Sequence, residues 1–262
     1  MWKLTIYCCY HDKTQKKDDD KLTKRFYGPD WLLNPYLSEF SMFYDVRKND
    51  KDSDYIGTCH YRRRIYSWDF DENLVNDNSC QVYEVRKWNR FSGAFWLEKF
   101  LSKYWRQCPL LWDDYVWYCH TINKGEEYID IDKKLWKQDY IMISRSSGIM
   151  SRHHFMDMCE FMFWFLDYID KKYELNYDPK KYDDWLVDNY ITKIRWSLPF
   201  NVHKSETNMK RLFAYTFEWL YSIYVYTNMQ SYNLIDKNNL VHSRPWTWGT
   251  IKHLFIKLLG LV

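Results

Sequence analysis

The sequence predicts an α/β protein in which helices flank a mixed sheet. Short apolar runs have the composition of buried strands, and longer segments carry apolar residues at helical spacing. Because the two kinds of segment alternate along the chain, the strands are expected to form one sheet with helices packed on it. The predicted strands are 3–11, 55–68 and 140–150, and the main predicted helices are 34–50, 152–172 and 208–228.

The composition is that of a globular protein with a substantial core. A chain of 262 residues and 32.7 kDa buries roughly 70–75% of its unfolded surface when it folds as one domain. With 46% hydrophobic residues, 28% charged residues and only seven glycines, collagen-like, low-complexity and disordered classes are excluded. We expect one domain over 1–226 and a C-terminal extension over 227–262.

Charge and cysteine content limit the partners and the compartment. The formal net charge is +3, with Lys and Arg spread among Asp, which does not predict a nucleic-acid-binding face. Seven cysteines without a CxxC pair, and no secretory signal, favour a reducing, cytoplasmic location. Cys8, Cys9 and His11 lack the spacing of a zinc site and are expected to be small buried residues.

The C-terminal segment 250–262, TIKHLFIKLLGLV, is apolar and basic. No stretch in the chain reaches 18 apolar residues, so a membrane-spanning helix is not expected. The segment either docks on the domain or lies at a membrane surface, and the sequence leaves both alternatives open.

The elements follow in order. The apolar run 3–11 is followed by a polar loop at 12–24, a helix at 34–50 with Pro35 near its start, and a charged turn before the second strand. Two aromatic helices are expected at 93–108 and 111–122. His153 and His154 begin the helix at 152–172 and are expected to be a surface pair.

The second strand runs from an apolar half, YIGTC, into His60-Tyr61-Arg62-Arg63-Arg64. In open α/β sheets ligands bind beyond the carboxyl ends of central strands, and the guanidinium fork of arginine suits phosphate. Strand alternation places Arg62 and Arg64 on one face. The alternative is an edge strand whose arginines are merely solvated.

A family resemblance begins at this segment. NDKDSDYIGTCHYRR at 49–63 resembles the signature of glycosyltransferase-like proteins of bacterial capsular and exopolysaccharide clusters, a family long catalogued as a domain of unknown function. The helix before it places Glu39 at the family's glutamate. KLWKQDYIMIS at 134–144 resembles the family's second strand, and 211–225 its last shared helix, so the resemblance covers roughly 3–226.

The sequence departs from the family pattern at three positions. Ala214 stands where the family usually has glycine, Trp219 where it has arginine, and Asp139 where it has asparagine, whereas Glu218 is retained. The segment 73–120 matches poorly, so nothing about the acceptor side carries over.

The resemblance implies a GT-A-like, Rossmann-type fold and a glycosyltransferase that moves a hexose or pentose from a nucleotide sugar, with UDP favoured, to a glycan or lipid-linked acceptor in polysaccharide or capsule biosynthesis. His60, Tyr61, Arg62 and Arg63 are then expected to bind the donor diphosphate, whose negative charge grows as the glycosidic bond breaks. The alternatives for this segment are an architectural role or contact with the acceptor, and the alternative for the whole protein is a non-catalytic glycan-binding or structural module that kept the fold.

No cofactor is certain from the sequence. Guanidinium groups can neutralise a diphosphate without a metal, but many GT-A-like enzymes hold Mn²⁺ or Mg²⁺ on an Asp-x-Asp pair. Asp69 and Asp71 are the best-placed pair because they follow the arginine segment, and Asp130 and Asp132 are the second choice.

Three carboxylates are candidates for chemistry on the sugar. Glu218 lies in an apolar stretch of a predicted helix, where burial would raise its pKa and suit it to accept a proton from the acceptor hydroxyl. The alternative is a helix glutamate paired with a neighbouring Lys or Arg. Asp139 is a second catalytic candidate, and Glu39 is a candidate for binding sugar or acceptor hydroxyls.

Overall fold

A computed structural model of the chain describes residues 2–10, 21–27, 34–60, 64–82, 109–137, 143, 147–191 and 212–234. They form one α/β domain built on a six-stranded mixed sheet with helices against it, as the alternation of segments predicts. The strands are β1 (Leu4–Tyr10), β2 (Thr23–Tyr27), β3 (Tyr55–His60), β4 (Ser79–Val82), β5 (Gly148–Ser151) and β6 (Ser231–Leu234).

The helices lie between these strands in the chain. They are α1 (Asn34–Leu37), α2 (Phe40–Asn49), α3 (Pro109–His120), α4 (Gly125–Lys137), α5 (Arg152–Lys172), α6 (Pro179–Leu186) and α7 (Leu212–Asn228). A short 3-10 turn occupies Ser67–Asp69, and one π turn follows α6 at Val187–Ile191.

The sheet order is β2-β1-β3-β5-β4-β6. β1 pairs in parallel with both β2 and β3, and β4 pairs in parallel with β6. β5 is antiparallel to its neighbours β3 and β4. Five strands therefore point in one direction, and their carboxyl ends meet at one edge of the sheet, which we call the carboxyl edge.

The two central parallel strands, β1 and β3, are buried on both faces. All seven residues of β1 are buried, as are the last five of β3, which explains why the first strand reads as a continuous apolar run. Tyr7, Cys9 and Ile56 face the helices, and Leu4, Ile6 and Cys59 belong to a second cluster on the other face.

Aromatic side chains fill the layer between the helices and the sheet. Phe217 of α7 packs against Phe40 and Phe163, with ring centroids 5.4 Å apart in both pairs. Phe43 of α2 packs on Phe155 of α5 at 5.5 Å. Each fully buried ring of this kind stabilises the fold by about 1.5–3 kcal/mol, so much of the high aromatic content is core.

Several predicted elements are confirmed, and others need correction. The strand at 3–11, the helices at 111–122 and 208–228, and above all the helix at 152–172 match β1, α3, α7 and α5. Ser151 caps α5, and its hydroxyl accepts a hydrogen bond from the backbone of His154. The predicted helix at 93–108, the C-terminal segment 250–262 and most of the loop at 12–24 lie outside the described residues.

The predicted helix at 34–50 is two helices. Ser38 has a φ of 52°, a left-handed backbone conformation that an α-helix cannot contain, so the chain turns there and α2 begins again at Phe40. The strand expected over 55–68 is observed as β3 at Tyr55–His60, and the described residues 64–68 are not part of it. Of the strand expected over 140–150, residues 148–150 belong to β5, whereas 140–142 and 144–146 lie outside the described residues. Residues 134–137 end α4, so the family's second strand does not begin there.

Short and edge elements were not predicted at all. β2, β4 and β6 have four or five residues each, too few for a two-residue alternation to stand out from a polar loop. β2 and β6 are also the two outermost strands of the sheet. α7 continues to Asn228 and β6 joins the sheet, while residues 235–262 lie outside the described part.

The cysteines behave as small apolar residues. Cys8, Cys9 and Cys59 are buried in the central strands, and burial raises the pKa of Cys80 to about 12. Because the thiolate is the reactive form, these thiols are poor nucleophiles and poor metal ligands at neutral pH.

A buried carboxylate links α2, β1 and β3. Asp50 accepts hydrogen bonds from the Tyr7 hydroxyl at 2.6 Å and from the Ser53 hydroxyl and backbone at 2.7 and 3.0 Å. Arg152 donates to the Asp50 carbonyl at 3.1 Å. Burial alone would raise the pKa of Asp50, but the hydrogen bonds from Tyr7 and Ser53 outweigh it, and the pKa lies below its ordinary value.

None of the helices within the described residues is both long and apolar enough to cross a membrane.

Gly148 provides a first test of the packing. A Cβ at this position would lie 2.6 Å from the Gln81 carbonyl oxygen and 2.8 Å from the Tyr221 hydroxyl. We expect Gly148→Ala to lower the free energy of unfolding by about 1–3 kcal/mol, measured by urea denaturation. Gly57→Ala is the matched control, because its Cβ would meet a movable Ile6 side-chain atom at 3.0 Å. Equal costs at the two positions would contradict the packing described here.

Asp50 predicts a specific loss of stability in acid. A carboxyl whose folded pKa is depressed stabilises the fold above its unfolded pKa of about 4, and that stabilisation is lost as pH falls through the folded value. We expect Asp50→Asn to cost about 1–3 kcal/mol at pH 7 and to flatten the decline in the urea midpoint between pH 5 and 3. Asp52→Asn, at an exposed carboxylate, should leave both the midpoint and its acid dependence almost unchanged. An unaltered acid profile in Asp50→Asn would contradict this prediction.

Candidate functional site

The candidate site lies at the carboxyl edge, around the ends of β1 and β3. Cys9 near the end of β1 pairs with His60, the last residue of β3. β2 ends beside them at Tyr27, which pairs with Tyr10. The prediction that β3 is a central strand of a mixed sheet is confirmed, because it lies between β1 and β5.

His60 and Glu39 approach this edge from the helix face. His60 is 8% exposed, and it follows Ile56 and Thr58 on the face of β3 that packs on the helices. Glu39 lies at the junction of α1 and α2, and its negative charge adds to burial in raising the pKa of the Cys9 thiol. Since Cys9 is the strand partner of His60, two residues predicted separately are brought to the same end of the sheet.

The Glu39 carboxylate has properties expected of a binding group. It is half-buried, and it does not cap α2, whose first turn is left without a side-chain acceptor. Among the described residues no hydrogen bond or ion pair engages this carboxylate. A half-buried acceptor without a protein partner is costly unless something else satisfies it, so Glu39 is available to a ligand hydroxyl.

Arg64 approaches the same edge from the opposite face. It is 6% exposed, and its guanidinium carbon lies 5.8 Å from the centre of the Tyr10 ring. Its positive charge lowers the pKa of Cys59 against the larger effect of burial, which raises it. Sequence reasoning singled out the two arginines before it. Arg64 could have been singled out as the third arginine of the same run, and the structure buries it against Tyr10.

Four predicted site residues lie outside the described residues: Tyr61, Arg62, Arg63 and Asp139. Tyr61, Arg62 and Arg63 join two described and buried residues, His60 and Arg64. Asp139 is four residues before Ile143, whose backbone N–H donates to the Ser222 hydroxyl of α7 at 3.0 Å.

Glu218 is on α7, half-buried, between the fully buried Phe217 and the half-buried Trp219. Its neighbour Phe217 packs against Phe40, the residue next to Glu39. The contact between these two rings therefore links the neighbourhood of Glu218 to that of Glu39.

Trp219 makes the most specific contact in this part of α7. Its indole N–H donates to the Asp132 carboxylate of α4 at 2.7 Å, and Asp132 is fully buried. The family pattern has arginine at this position, so the acidic partner on α4 receives a neutral donor here. Asp132 is consequently occupied by the core, and its predicted partner in a metal pair, Asp130, forms an ion pair with Lys134 at 2.7 Å.

Asp69 and Asp71 organise the loop after β3. One Asp69 oxygen accepts the Tyr66 backbone N–H at 2.8 Å, and one Asp71 oxygen accepts both the backbone and the side-chain N–H groups of Asn73 at 2.9 Å. Within the part of the chain that the structure describes, no group of three His, Cys, Asp or Glu side chains is placed to hold a metal ion, so the pair fits a divalent ion incompletely.

A polar pocket of about 490 Å³ lies at the opposite edge, where β3 begins and β5 ends. Its lining includes Lys51, Asp54, Asp77 and Arg152. None of the predicted site residues lines it. The pocket belongs to the amino end of β3, whereas ligands of open α/β sheets bind at the carboxyl ends.

His153 and His154 do not form the surface pair that the sequence suggested. His153 is exposed and lies 3.3 Å from Asp157. His154 is only 9% exposed, and its two ring nitrogens lie 3.1 Å from the Tyr224 hydroxyl and 2.6 Å from the Asp77 carbonyl oxygen. The helix cap turns the second histidine inward, where it connects α5 to α7 and to the turn before β4.

Comparison with known proteins gives one structural likeness. No protein-family model matches the chain, and no curated protein sequence matches it. Among solved structures, the apo form of the bifunctional glycosyltransferase WbbM matches with a TM-score of 0.45 and 14% sequence identity. The match covers 88% of this chain and 44% of that one, so this chain spans less than half the length of the neighbour.

The contact between Trp219 and Asp132 makes a testable prediction. Trp219→Phe keeps most of the ring but removes the donor to a buried carboxylate, and we expect it to lower the free energy of unfolding by about 1–3 kcal/mol. Trp117→Phe is the matched control, because Trp117 is 66% exposed and its replacement should cost less than about 0.5 kcal/mol. Identical urea midpoints for Trp219→Phe and the unaltered protein would show that this hydrogen bond does not stabilise the domain.

Proposed function

We propose that this protein is a glycosyltransferase that moves a sugar from a nucleotide-sugar donor, preferably of UDP type, to a glycan or lipid-linked acceptor. The observation that carries the proposal is the end of β3. A strand buried on both faces leads through His60 into Tyr61, Arg62 and Arg63 at the edge where five strands end. Sheets of this kind bind ligands there, and the sequence at this point is the specific part of the family resemblance.

The donor diphosphate is assigned to this edge for electrostatic reasons. Two guanidinium groups supply permanent positive charge and paired N–H donors, which match the geometry of phosphate oxygens. His60, buried beside Cys9 at this edge, is the proposed hydrogen-bond donor that accompanies the two arginines. Arg64 packs over Tyr10 on the other face of the sheet.

The reaction forms one bond and breaks another at the anomeric carbon. The acceptor hydroxyl oxygen attacks that carbon, and the bond from the carbon to the diphosphate oxygen breaks. The electron pair of that bond leaves with the nucleoside diphosphate, where Arg62 and Arg63 stabilise the added charge. The hydroxyl proton passes to a carboxylate or to the departing phosphate.

Glu218 and Asp139 are the proposed carboxylates for that proton, and Glu39 is the proposed contact to a sugar hydroxyl. An inverting transfer needs the base near the acceptor oxygen, whereas a retaining one does not need it in the same place. Glu218 is supported by its half-buried position on α7 and by its neighbour Phe217, which packs next to Glu39.

A divalent metal remains an option in this proposal. Asp69 and Asp71 would hold Mn²⁺ or Mg²⁺ through their carboxylates, and the ion would offset diphosphate charge. The arginines serve the same purpose without it, so no step above depends on a metal.

A second candidate function is a glycan-binding module without turnover. The contact that favours it is the hydrogen bond from the Trp219 indole to Asp132. Trp219 stands where the family pattern has arginine, so a core hydrogen bond takes the place of a charged side chain at this position. Such a module would bind sugar but release no nucleoside diphosphate from a nucleotide sugar.

Thermal unfolding with UDP, GDP, CMP and TDP, each with and without Mn²⁺, tests the proposal. A ligand that binds only the folded state at a hundred times its Kd adds about 2.7 kcal/mol, which corresponds to roughly 5–10 °C for a domain of this size. We expect UDP to raise the Tm and Arg62→Ala or Arg63→Ala to abolish the shift. Lys51→Ala, an exposed cation at the opposite edge, is the matched control and should retain it.

The outcomes separate the alternatives. No shift with any nucleotide at millimolar concentration overturns the donor site. A UDP shift that requires Mn²⁺ and disappears in Asp69→Asn with Asp71→Asn assigns the metal to that pair. Binding of UDP without release of UDP from any of its sugar conjugates favours the module over the transferase.

A further inference from the structure

An exposed aromatic platform lies in the loop after the candidate donor segment. The rings of Tyr66 and Trp68 stack with centroids 4.4 Å apart and an angle of 7° between their planes. Trp68 is 67% exposed, so one face of its indole rests on Tyr66 and the opposite side is open to solvent. By contrast Trp117, which is equally exposed, has no ring stacked on it among the described residues.

The loop holds this pair in a fixed orientation. The Asp69 carboxylate accepts the Tyr66 N–H at 2.8 Å, and the Asp69 N–H donates to the Tyr66 carbonyl at 3.0 Å. The buried side-chain amide of Gln81 also holds the loop in place. It donates a hydrogen bond to the Asp69 carbonyl at 2.9 Å and accepts one from the Asp71 N–H at 3.0 Å. The Trp68 indole therefore does not have to be ordered when a ligand binds, which reduces the entropic cost of binding.

Packing fixes the far end of the loop. The ring of Phe70 lies 4.8 Å from that of Trp2 and 5.0 Å from that of Tyr55 at the start of β3. The loop thus runs along the side of the sheet, from the carboxyl edge, where β3 ends, towards the opposite edge, where β3 begins. Tyr66 lies six positions after His60, so the two are at most about 22 Å apart, the length of a few sugar rings.

The charge around the platform limits what it can bind. Residues 65–82 contain four acidic side chains, Asp69, Asp71, Glu72 and Asp77, and no Lys or Arg. An acidic loop repels phosphate, nucleic acid and anionic lipid head groups. Neutral sugars suit it, because their C–H faces pack on a flat ring while their hydroxyls donate to carboxylates.

We propose that the Tyr66–Trp68 platform binds a neutral sugar unit of an extended glycan acceptor, away from the unit that receives the new sugar. This inference rests on the proposed transferase function and adds the class of acceptor, a neutral oligosaccharide or polysaccharide rather than a monosaccharide. The platform is a binding element and takes no part in the chemical step.

Affinity electrophoresis through gels that contain dextran, arabinogalactan or yeast mannan tests the inference. We expect at least one of these neutral polysaccharides to retard the protein, and Trp68→Ala to weaken that binding about two- to tenfold, the range given by a lost aromatic contact. Trp68→Phe should retain most of the binding, and Trp68→Leu should lose it, because leucine is apolar but lacks a flat ring. Trp117→Ala is the matched control and should be retarded like the unaltered protein.

The UDP-induced Tm shift, measured in the same variants, distinguishes failure of this inference from failure of the proposed function. Retention of the UDP shift by Trp68→Ala with loss of retardation supports the inference. A UDP shift in the unaltered protein, with no retardation by any of the three polysaccharides, overturns the inference and leaves the transferase standing. Retardation that Trp68→Ala does not change also overturns it, as does retardation that Trp68→Leu preserves.

A membrane is the competing occupant of an exposed tryptophan. Co-sedimentation with phosphatidylcholine vesicles that is lost in Trp68→Ala, without polysaccharide binding, would assign the platform to a lipid interface and overturn the inference. Retardation by polysaccharide without any UDP shift would uphold the platform as a glycan site and favour the second candidate function over the first.

Discussion

The parallel pairing of β1 with β3, buried on both faces, is the constraint on which the rest of the structure depends. Strands in this arrangement have no solvent-facing side, so each residue must be apolar or satisfied by the fold itself. The polar residues of this pair therefore have defined roles. Tyr7 donates to Asp50 at one end, and His60 is buried at the other.

The residues at the amino end of β3 stabilise the fold, whereas those at its carboxyl end belong to the proposed functional site. At the amino end, Asp50, Ser53 and Arg152 form a hydrogen-bonded group that fixes the turn entering the strand. At the carboxyl end, the half-buried Glu39 carboxylate has no protein partner among the described residues, and the strand leads into two arginines.

The aromatic residues serve two distinct purposes. Rings such as Phe40, Phe163 and Phe217 fill the helix layer, where apolar burial is the main source of stability. The stacked pair of Tyr66 and Trp68 lies in a loop and buries little. Composition alone cannot separate these roles, since a tryptophan in the core and one on a platform are the same letter in the sequence.

The sequence by itself determined the elements whose signals are local and long. The helix at 152–172 was predicted with its bounds, because apolar residues at helical spacing over 21 residues cannot be mistaken for the two-residue alternation of a strand. β1 was predicted from an unbroken apolar run. The central position of β3 also followed from its composition. The resemblance and the charge pattern then directed attention to the carboxyl end of that strand.

Only the tertiary structure decided which distant residues meet. The short strands β2, β4 and β6 exist because neighbouring strands pair with them, a contribution that no window of four or five residues contains. The break at Ser38, the burial of His154 and the donation from Trp219 to Asp132 likewise depend on partners far along the chain. The approach of Glu39 to Cys9, and through it to His60, has the same origin, because long-range contacts are fixed by packing and not by the local sequence.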